Sequence, residues 1–585
     1  MPNKLDTCIS ISRVLALCGV IAACSTVEPR AATPGAKVND IAERYLNWAL
    51  DKAPETAYFS AISIDRHDGL YDKRLAAIAA NQRQEDQFFE ELNAIAPASL
   101  QGSAEWITAS MLGQELRGNR EIRICRNELW NVNQMSGWHL SYPRLAELQP
   151  VETAEQQDQA LRRWSKFASF VDQEIVNLKA GLELGYSSPK PVVRRVIEQI
   201  NGLLEIPNEA SPFNAPARHS DDAAFQAAML AIVAEDIRPA LERYRDFLSE
   251  EYLARARQEL SITANPDGRE CYEASLRYYT TLDSSGQAIY ELGQATVAYN
   301  RAEVIELGQK AYGVSDFKSA IDAAKNDSHD HFANREELLA FSRDAVLRAE
   351  QALPNWFGNV PDQAVAIVPF DERDEGTGRS AHYQAGSSER PAEYRIPLYQ
   401  AEKQSRSNAE ITAFHETWPG HHLQVASAQS VEGLHPVTQI IWFSGPGEGW
   451  ARYSERLAEE MGLYETVNAP ILRRAWPARG MVVDPGLHLF GWSREQAIEF
   501  MTESGRFPAG QADSLVDRIA ILPGQLTAYD AGGLEILALR RDAETALGDA
   551  FDIREFHEQV LKNGTIPLGA LRQQIEAWLL SSNVH

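Results

Sequence analysis

The residues of this chain best suited to chemistry stand together at His415-Glu416-Thr417-Trp418-Pro419-Gly420-His421-His422. Two imidazoles beside a glutamate are the parts of a catalytic zinc site: the neutral rings ligate, and the carboxylate takes a proton from the water that the metal activates. On an α-helix this chemistry asks for His-Glu-x-x-His, because i and i+4 share one face. Here position 419 is proline, and the next histidines follow six and seven residues after His415. On an ideal helix i+6 points about 240° round, and i+7 lies about 10.5 Å along the axis. Neither can join His415 on one metal at about 2.0–2.1 Å. The alternatives are therefore no metal site or a deformed helix. Pro419 lacks an N–H and its ring clashes with the carbonyl four residues back, that of His415. Gly420 accepts backbone angles that other residues avoid. A bulge over Trp418-Pro419-Gly420 would bring His421 round to His415. His422 competes for the same place; His421 is preferred because it follows the glycine, which leaves His422 as a core histidine or a support of the site.

A third ligand should come from a later helix. Glu448 falls 27 residues beyond His421, and a carboxylate is the third ligand that a gluzincin-type site expects. Glu448, Arg452, Glu455 and Glu459 are spaced to share one helical face. Glu448 reads as the ligand, and Glu455, two turns on, as the acceptor that orients a ligating histidine through its second ring nitrogen. The competing reading of this spacing is a solvated charged face.

The elements that must position these residues read as helical. Ser407 and Glu410 stand at capping-box spacing, so the His415-Glu416 helix should begin near Ala409. Val38, Ile41, Ala42, Tyr45, Leu46, Ala49 and Leu50 form one apolar stripe of helical period, and similar stripes recur over 74–96, 154–184, 189–203, 222–247, 286–309 and 334–352. Pro207, Pro212 and Pro216 make the stretch after 206 a loop. The β-branched run 364–368 and the run 392–396 read as two strands of a small sheet beside the site, with loop (DERDEGTGRS, QAGSSERP) between them. Such a sheet edge can align an extended peptide, or the pair is a structural hairpin. No repeat, low-complexity tract or linker divides the chain after residue 40. The expected fold class is mainly α, a single helical body over 37–585 with a small β-sheet next to the metal site.

Composition narrows the functions. Hydrophobic residues make up 44% and charged residues 24% of the 585, an ordinary globular balance that argues against disorder. A net charge of −26 repels phosphate backbones, so no nucleic-acid partner is expected. The chain has no G-x-S-x-G elbow, Walker A or Rossmann fingerprint. Lys4, Arg13 and the short apolar run 14–23 read as a secretory signal over 1–23. Its end, Ile21-Ala22-Ala23-Cys24, resembles a bacterial lipobox, which makes Cys24 the lipidated residue and 24–36 its tether. Ser25, where aspartate would signal retention in the inner membrane, points to the outer membrane facing the periplasm. The membrane is then met through the lipid anchor only. Cys125 and Cys271 remain in an oxidising compartment, as a disulfide or as two separate buried thiols.

Four segments in order, HETWPGHHLQ, GPGEGWARYSERLAEEMG, VVDPGLHLFGWSREQAI and LPGQLTAYDAGGLEILALR, resemble the DUF885 family of bacterial proteins over roughly 40–580. Written with its insertion, His-Glu-(Thr-Trp-Pro)-Gly-His is in turn similar to the His-Glu-x-Gly-His of the helical gluzincin peptidases of carboxypeptidase Taq, oligopeptidase and angiotensin-converting-enzyme type. That likeness implies two mostly helical lobes around a channel with Zn²⁺ at its floor. Zinc would sit on His415, His421 and Glu448, with Glu416 as general base and short peptides as substrates. His488, behind Asp484-Pro485-Gly486, and Tyr529 would stabilise the oxyanion; otherwise they are a satisfied histidine in a turn and a buried aromatic. Arg540 is a candidate for a substrate carboxylate or a plain helix-end arginine, and Arg479 is undecided between similar readings. Two other classes fit the same sequence: a peptide-binding lipoprotein with a repurposed site, and a zinc hydrolase of a non-peptide or cell-wall amide.

Overall fold

The stripe Val38, Ile41, Ala42, Tyr45 and Leu46 is buried on a helix that runs Pro34–Lys52. The computed structural model describes residues 33–582 apart from 61, 97–98, 101, 372–374, 376–378 and 387–389. The signal stretch and the lipobox with Cys24 lie outside the described residues. The first helix begins at Pro34, before the expected start of the helical body at 37. Thr33 already caps the first helix, its Oγ1 accepting from the Ala36 N–H at 3.2 Å, and Pro34 takes the first turn, where no N–H is needed.

The fold is mainly α with one small sheet. The helical stripes become Leu75–Asn93, Lys190–Glu205, Gly286–Tyr312 and Arg335–Ala352, with Ala104–Ile122 added. Two expected helices are interrupted. The 154–184 stripe is split into Ala154–Trp164 and Phe167–Glu183, and 222–247 contains a π-turn at Val233–Ile237. Pro239 follows that turn and cannot donate to the ladder, which is a physical cause for the widened turn. Among the described residues no helix is long and apolar enough to cross a membrane.

Apolar burial gathers in several clusters. The largest joins the first three helices to the sheet, to helices after 406 and to the C-terminal helices. A second is built from Val132 to Ala256 alone. Between them, Cys125 and Cys271 form a disulfide, with Cα atoms 4.7 Å apart across a separation of 146 residues. The alternative of two free thiols is thereby removed.

The sheet has three strands, β1 (Val365–Pro369), β2 (His382–Gln384) and β3 (Ala392–Ile396), in the order β1-β3-β2. β1 and β3 pair in parallel, Val365 opposite Ala392, so they do not form a hairpin. β2 pairs antiparallel to β3, Tyr383 opposite Tyr394, within the segment read from sequence as loop. Parallel neighbours need a crossover, and here that crossover carries the third strand. Ala392, Tyr394 and Ile396 turn one face of β3 into the core.

Two later helices, Ser444–Glu460 and Thr527–Leu547, meet backbone to backbone. A Cβ on Gly532 would lie 2.0 Å from the Gly445 carbonyl oxygen, and one on Gly449 would lie 2.5 Å from the Gly532 carbonyl carbon. Only glycine permits that approach.

Candidate metal centre

The helix that carries His415 and Glu416 runs Arg406–Glu416. Ser405, not Ser407, caps it, accepting from the Asn408 N–H at 3.0 Å. Ser407 and Glu410 are buried instead. The Ser407 hydroxyl donates to Asp330 at 2.7 Å, and Glu410 pairs with Arg348 at 3.0 Å, so the expected start near Ala409 is displaced to Arg406.

After Thr417 the helix does not bulge; it stops, and a second helix, His421–Gln429, starts. The Trp418–Pro419 peptide is cis. The Pro419 carbonyl at the break finds a donor in Trp450, whose indole N–H reaches Pro419 O at 2.9 Å and also lies 3.2 Å from Gly420 O, which accepts from Gln424 N as well. A Cβ on Gly420 would sit 1.9 Å from the His415 carbonyl oxygen. The turn therefore folds directly back on the end of the first helix.

That break brings His421 to His415. The two rings stand 4.9 Å apart, centre to centre, at 87°. Glu448, in the second turn of Ser444–Glu460, completes the group. Its Oε2 is 3.7 Å from His415 Nε2 and 3.4 Å from His421 Nε2. One ligand atom from each of the three lies within 4.8 Å of the others. Two imidazoles and a carboxylate are a donor set that suits zinc and other divalent ions.

The surroundings fix the orientation of one ring. His415 Nδ1 donates to Glu455 Oε1 at 2.9 Å, which leaves Nε2 turned toward Glu448. Glu455 is nearly fully buried and is gripped by Arg452 at 2.7 and 2.8 Å; Arg452 Nε is 2.9 Å from Asp530. Burial disfavours the His415 imidazolium, yet Glu448 and Glu455 outweigh it and push the ring up to about 10. Burial opposes ionisation of Glu455, but Arg452 and His415 bring it down to about 2. The two histidines hold Glu448 well below the usual carboxylate range in the same way, against its own burial. Exchange of Glu455 for glutamine is expected to keep the fold but weaken zinc binding by about 10- to 100-fold, read by competition with a chelating indicator. Unchanged affinity would show that the Nδ1 partner does not tune the ring.

Glu416 sits at the last position of its helix, and its Oε2 accepts the Tyr383 backbone N–H at 2.9 Å. This N–H points away from β3, so the outer edge of β2 orients the carboxylate. His422 is fully buried and does not join the cluster. Its Nε2 donates to Gln363 O at 2.7 Å, and its Nδ1 accepts from the Tyr383 hydroxyl at 3.2 Å. Burial brings this ring down to about 4, the neutral form that the two bonds require. His422 ties the sheet to the break.

Tyr529 lies at the start of Thr527–Leu547, next to Asp530, and burial with the nearby Glu448 charge raises its phenol. Other expectations fail on geometry. His488 is buried, with Nδ1 accepting from Ile262 N at 3.1 Å and Nε2 donating to Ile519 O at 3.0 Å, so neither nitrogen is left for an oxyanion. Asp484 is buried and is not one of the converging ligands; it accepts from the Tyr272 hydroxyl at 2.8 Å and from Gly524 N at 2.9 Å. Arg540 is taken by Glu460 at 2.7 Å and Glu544 at 2.9 Å, which removes it as a substrate anchor. Arg479 is buried on Phe500 and bonded to Glu503 at 3.0 Å. The residue that sequence reasoning passed over is Arg518, whose Nη2 lies 3.3 Å from the Tyr529 hydroxyl. Its separation of 11 from Tyr529 carries no motif.

Residues 54–575 match the family model described as "Bacterial protein of unknown function (DUF885)". With most of its length matched, the chain belongs to that family. No curated protein matches it. Among solved structures it is similar to a "putative lipoprotein" from Colwellia psychrerythraea, with a TM-score of 0.81 at 23% identity over 94% of this chain and 100% of the other. A "putative lipoprotein of unknown function" from Shewanella oneidensis gives a TM-score of 0.77 at 18% identity over 93% and 100%. At these identities the likeness is one of fold.

Proposed function

We propose that this member of the DUF885 family is a zinc-dependent peptidase acting on short peptides, with a distant kinship to the helical gluzincins. The observation that carries the reading is the convergence of His415, His421 and Glu448 from three helices, with Glu455 on the far nitrogen of His415 and Glu416 alongside. A zinc ion held by those three would polarise a carbonyl and make water acidic enough to attack at neutral pH. Glu416 takes the proton of the attacking water and passes it to the leaving amine, held in aim by the Tyr383 N–H. Tyr529 donates its phenol O–H to the developing oxyanion. His415 stays in one tautomer because Glu455 holds its Nδ1–H. In the same proposal two lobes enclose a channel that admits peptides and excludes folded proteins. Cys24 tethers the chain by lipid, in keeping with the description of the two structural relatives as putative lipoproteins, and in the same proposal the anchor sits in the outer membrane, facing the periplasm.

Metal analysis after chelator-free purification tests the centre: about one equivalent of zinc is expected, and less than about a tenth would favour a binding protein with a repurposed site. A peptide library screened beside cell-wall fragments tests the substrate. Cleavage confined to cell-wall amides would replace the peptidase reading by the third class.

A further inference from the structure

Arg518 has an unusual position for a guanidinium. It lies on the helix Ala509–Ile521, and both acids of that helix are held by other arginines: Asp513 and Asp517 pair with Arg195 and Arg494. Among the described residues Arg518 has no carboxylate at salt-bridge distance; the buried Asp484 feels its charge but spends its oxygens on the Tyr272 hydroxyl and the Gly524 N–H. Its Nη2 donates to Gln525 Oε1 at 2.5 Å and to the Tyr529 hydroxyl at 3.3 Å, and the group lies 6.0 Å from the centre of the Tyr529 ring. Its Nε is buried and, among the described residues, meets no acceptor. The residue is half-buried, a buried N–H without an acceptor is costly, and arginine is the side chain whose planar fork matches a carboxylate.

The surroundings place this unpaired charge beside the metal cluster. Tyr529 precedes Asp530, which pairs with Arg452, and Gly532 and Gly533 rest against Gly449, the residue after Glu448. Arg518, Gln525 and Tyr529 thus stand on the side of the centre formed by the start of Thr527–Leu547, where donors await an anion.

We infer that Arg518, with Gln525 beside it, anchors the free C-terminal carboxylate of a peptide, so that this chain cuts near the C-terminus, while the Tyr529 hydroxyl is left to the oxyanion. The inference rests on the peptidase reading. Hydrolysis breaks the amide C–N bond; the water oxygen joins the acyl carbon, one proton reaches the departing nitrogen, and the released amine carries the anchored carboxylate. Arg518 acts on the leaving portion, whereas Glu416 acts on the water.

The test compares acetyl-Ala-Ala-Ala with its C-terminal amide, first on the wild-type zinc protein. Hydrolysis of the acid should exceed that of the amide by about 10- to 100-fold in kcat/KM, the scale of one charge-assisted pair. Arg518→Gln should bring that ratio to within about twofold, with Arg518→Lys between them, because lysine keeps the charge without the fork. Calorimetric binding of the same two peptides to zinc-loaded Glu416→Gln gives a readout that needs no turnover. Equal hydrolysis of acid and amide by the wild type would overturn the anchor and leave the peptidase standing. Acid-selective binding without hydrolysis would overturn the peptidase reading and keep the anchor. Neither binding nor hydrolysis would overturn both.

Discussion

Glu416→Gln should lose about 10²- to 10⁴-fold in kcat, the usual contribution of a positioned general base, while its zinc content stays at the wild-type level. Glutamine has nearly the same shape, and its amide oxygen can still accept the Tyr383 N–H that aims the native carboxylate. What it cannot do is hold a proton in transit. The paired readout separates loss of chemistry from loss of the centre. Peptide cleavage at an undiminished rate would remove Glu416 from the role of base, and loss of zinc would mean that it helps to hold the metal.

The second large effect lies at a residue with no functional group. A methyl on Gly420 would stand 1.9 Å from the carbonyl oxygen of His415 and 2.4 Å from that of Phe414. Both obstacles are backbone, so no side chain can swing aside. The start of the second helix must move off the end of the first, and His421 moves with it. Gly420→Ala is expected to cost about 1–3 kcal/mol of stability, the ordinary range for overpacking. It should also weaken zinc by at least about 100-fold, because ligation tolerates only a few tenths of an ångström. Gly510→Ala is the control: its added methyl meets nothing within 4 Å, in a helix where alanine is favoured. Denaturant midpoints and zinc titrations of both proteins decide the matter. Tight stoichiometric zinc in Gly420→Ala would show that the break does not position the ligands.

The three converging side chains were legible because helix geometry forbids the alternative. An unbroken helix cannot bring His415 and His421 to one point, and Pro419-Gly420 named the place where it must fail. The form of the failure was less legible. A bulge and a full stop use the same residues, and the stop draws on Trp450, distant in sequence, whose indole serves the buried Pro419 carbonyl. Glu455 was readable from its two-turn spacing to Glu448. His488 and Asp484 show the reverse. Their Pro-Gly context suggested chemistry, but what uses their polar atoms are backbone groups of Ile262, Ile519 and Gly524 and the Tyr272 hydroxyl, and one sequence does not display such pairings. Strand β2, three residues long, is too brief for alternation to be seen, and its value comes from pairing with β3. Arg518 was invisible for a different reason: it is marked by the lack of a partner, and that emerges only once distant Arg195 and Arg494 have claimed the nearby aspartates.

The glycine contact between Ser444–Glu460 and Thr527–Leu547 has a mechanical consequence. Where two helices touch through their main chains there is no layer of side chains to shear, so neither can slide or roll without a steric collision. Glu448, Arg452 and Glu455 on one rod, and Tyr529 and Asp530 on the other, consequently travel as a single rigid keel. If the molecule opens to admit a ligand and shuts around it, the hinge belongs to the parts built around this pair. The spacing between Glu448 and Tyr529 is then the same in the open and the shut form.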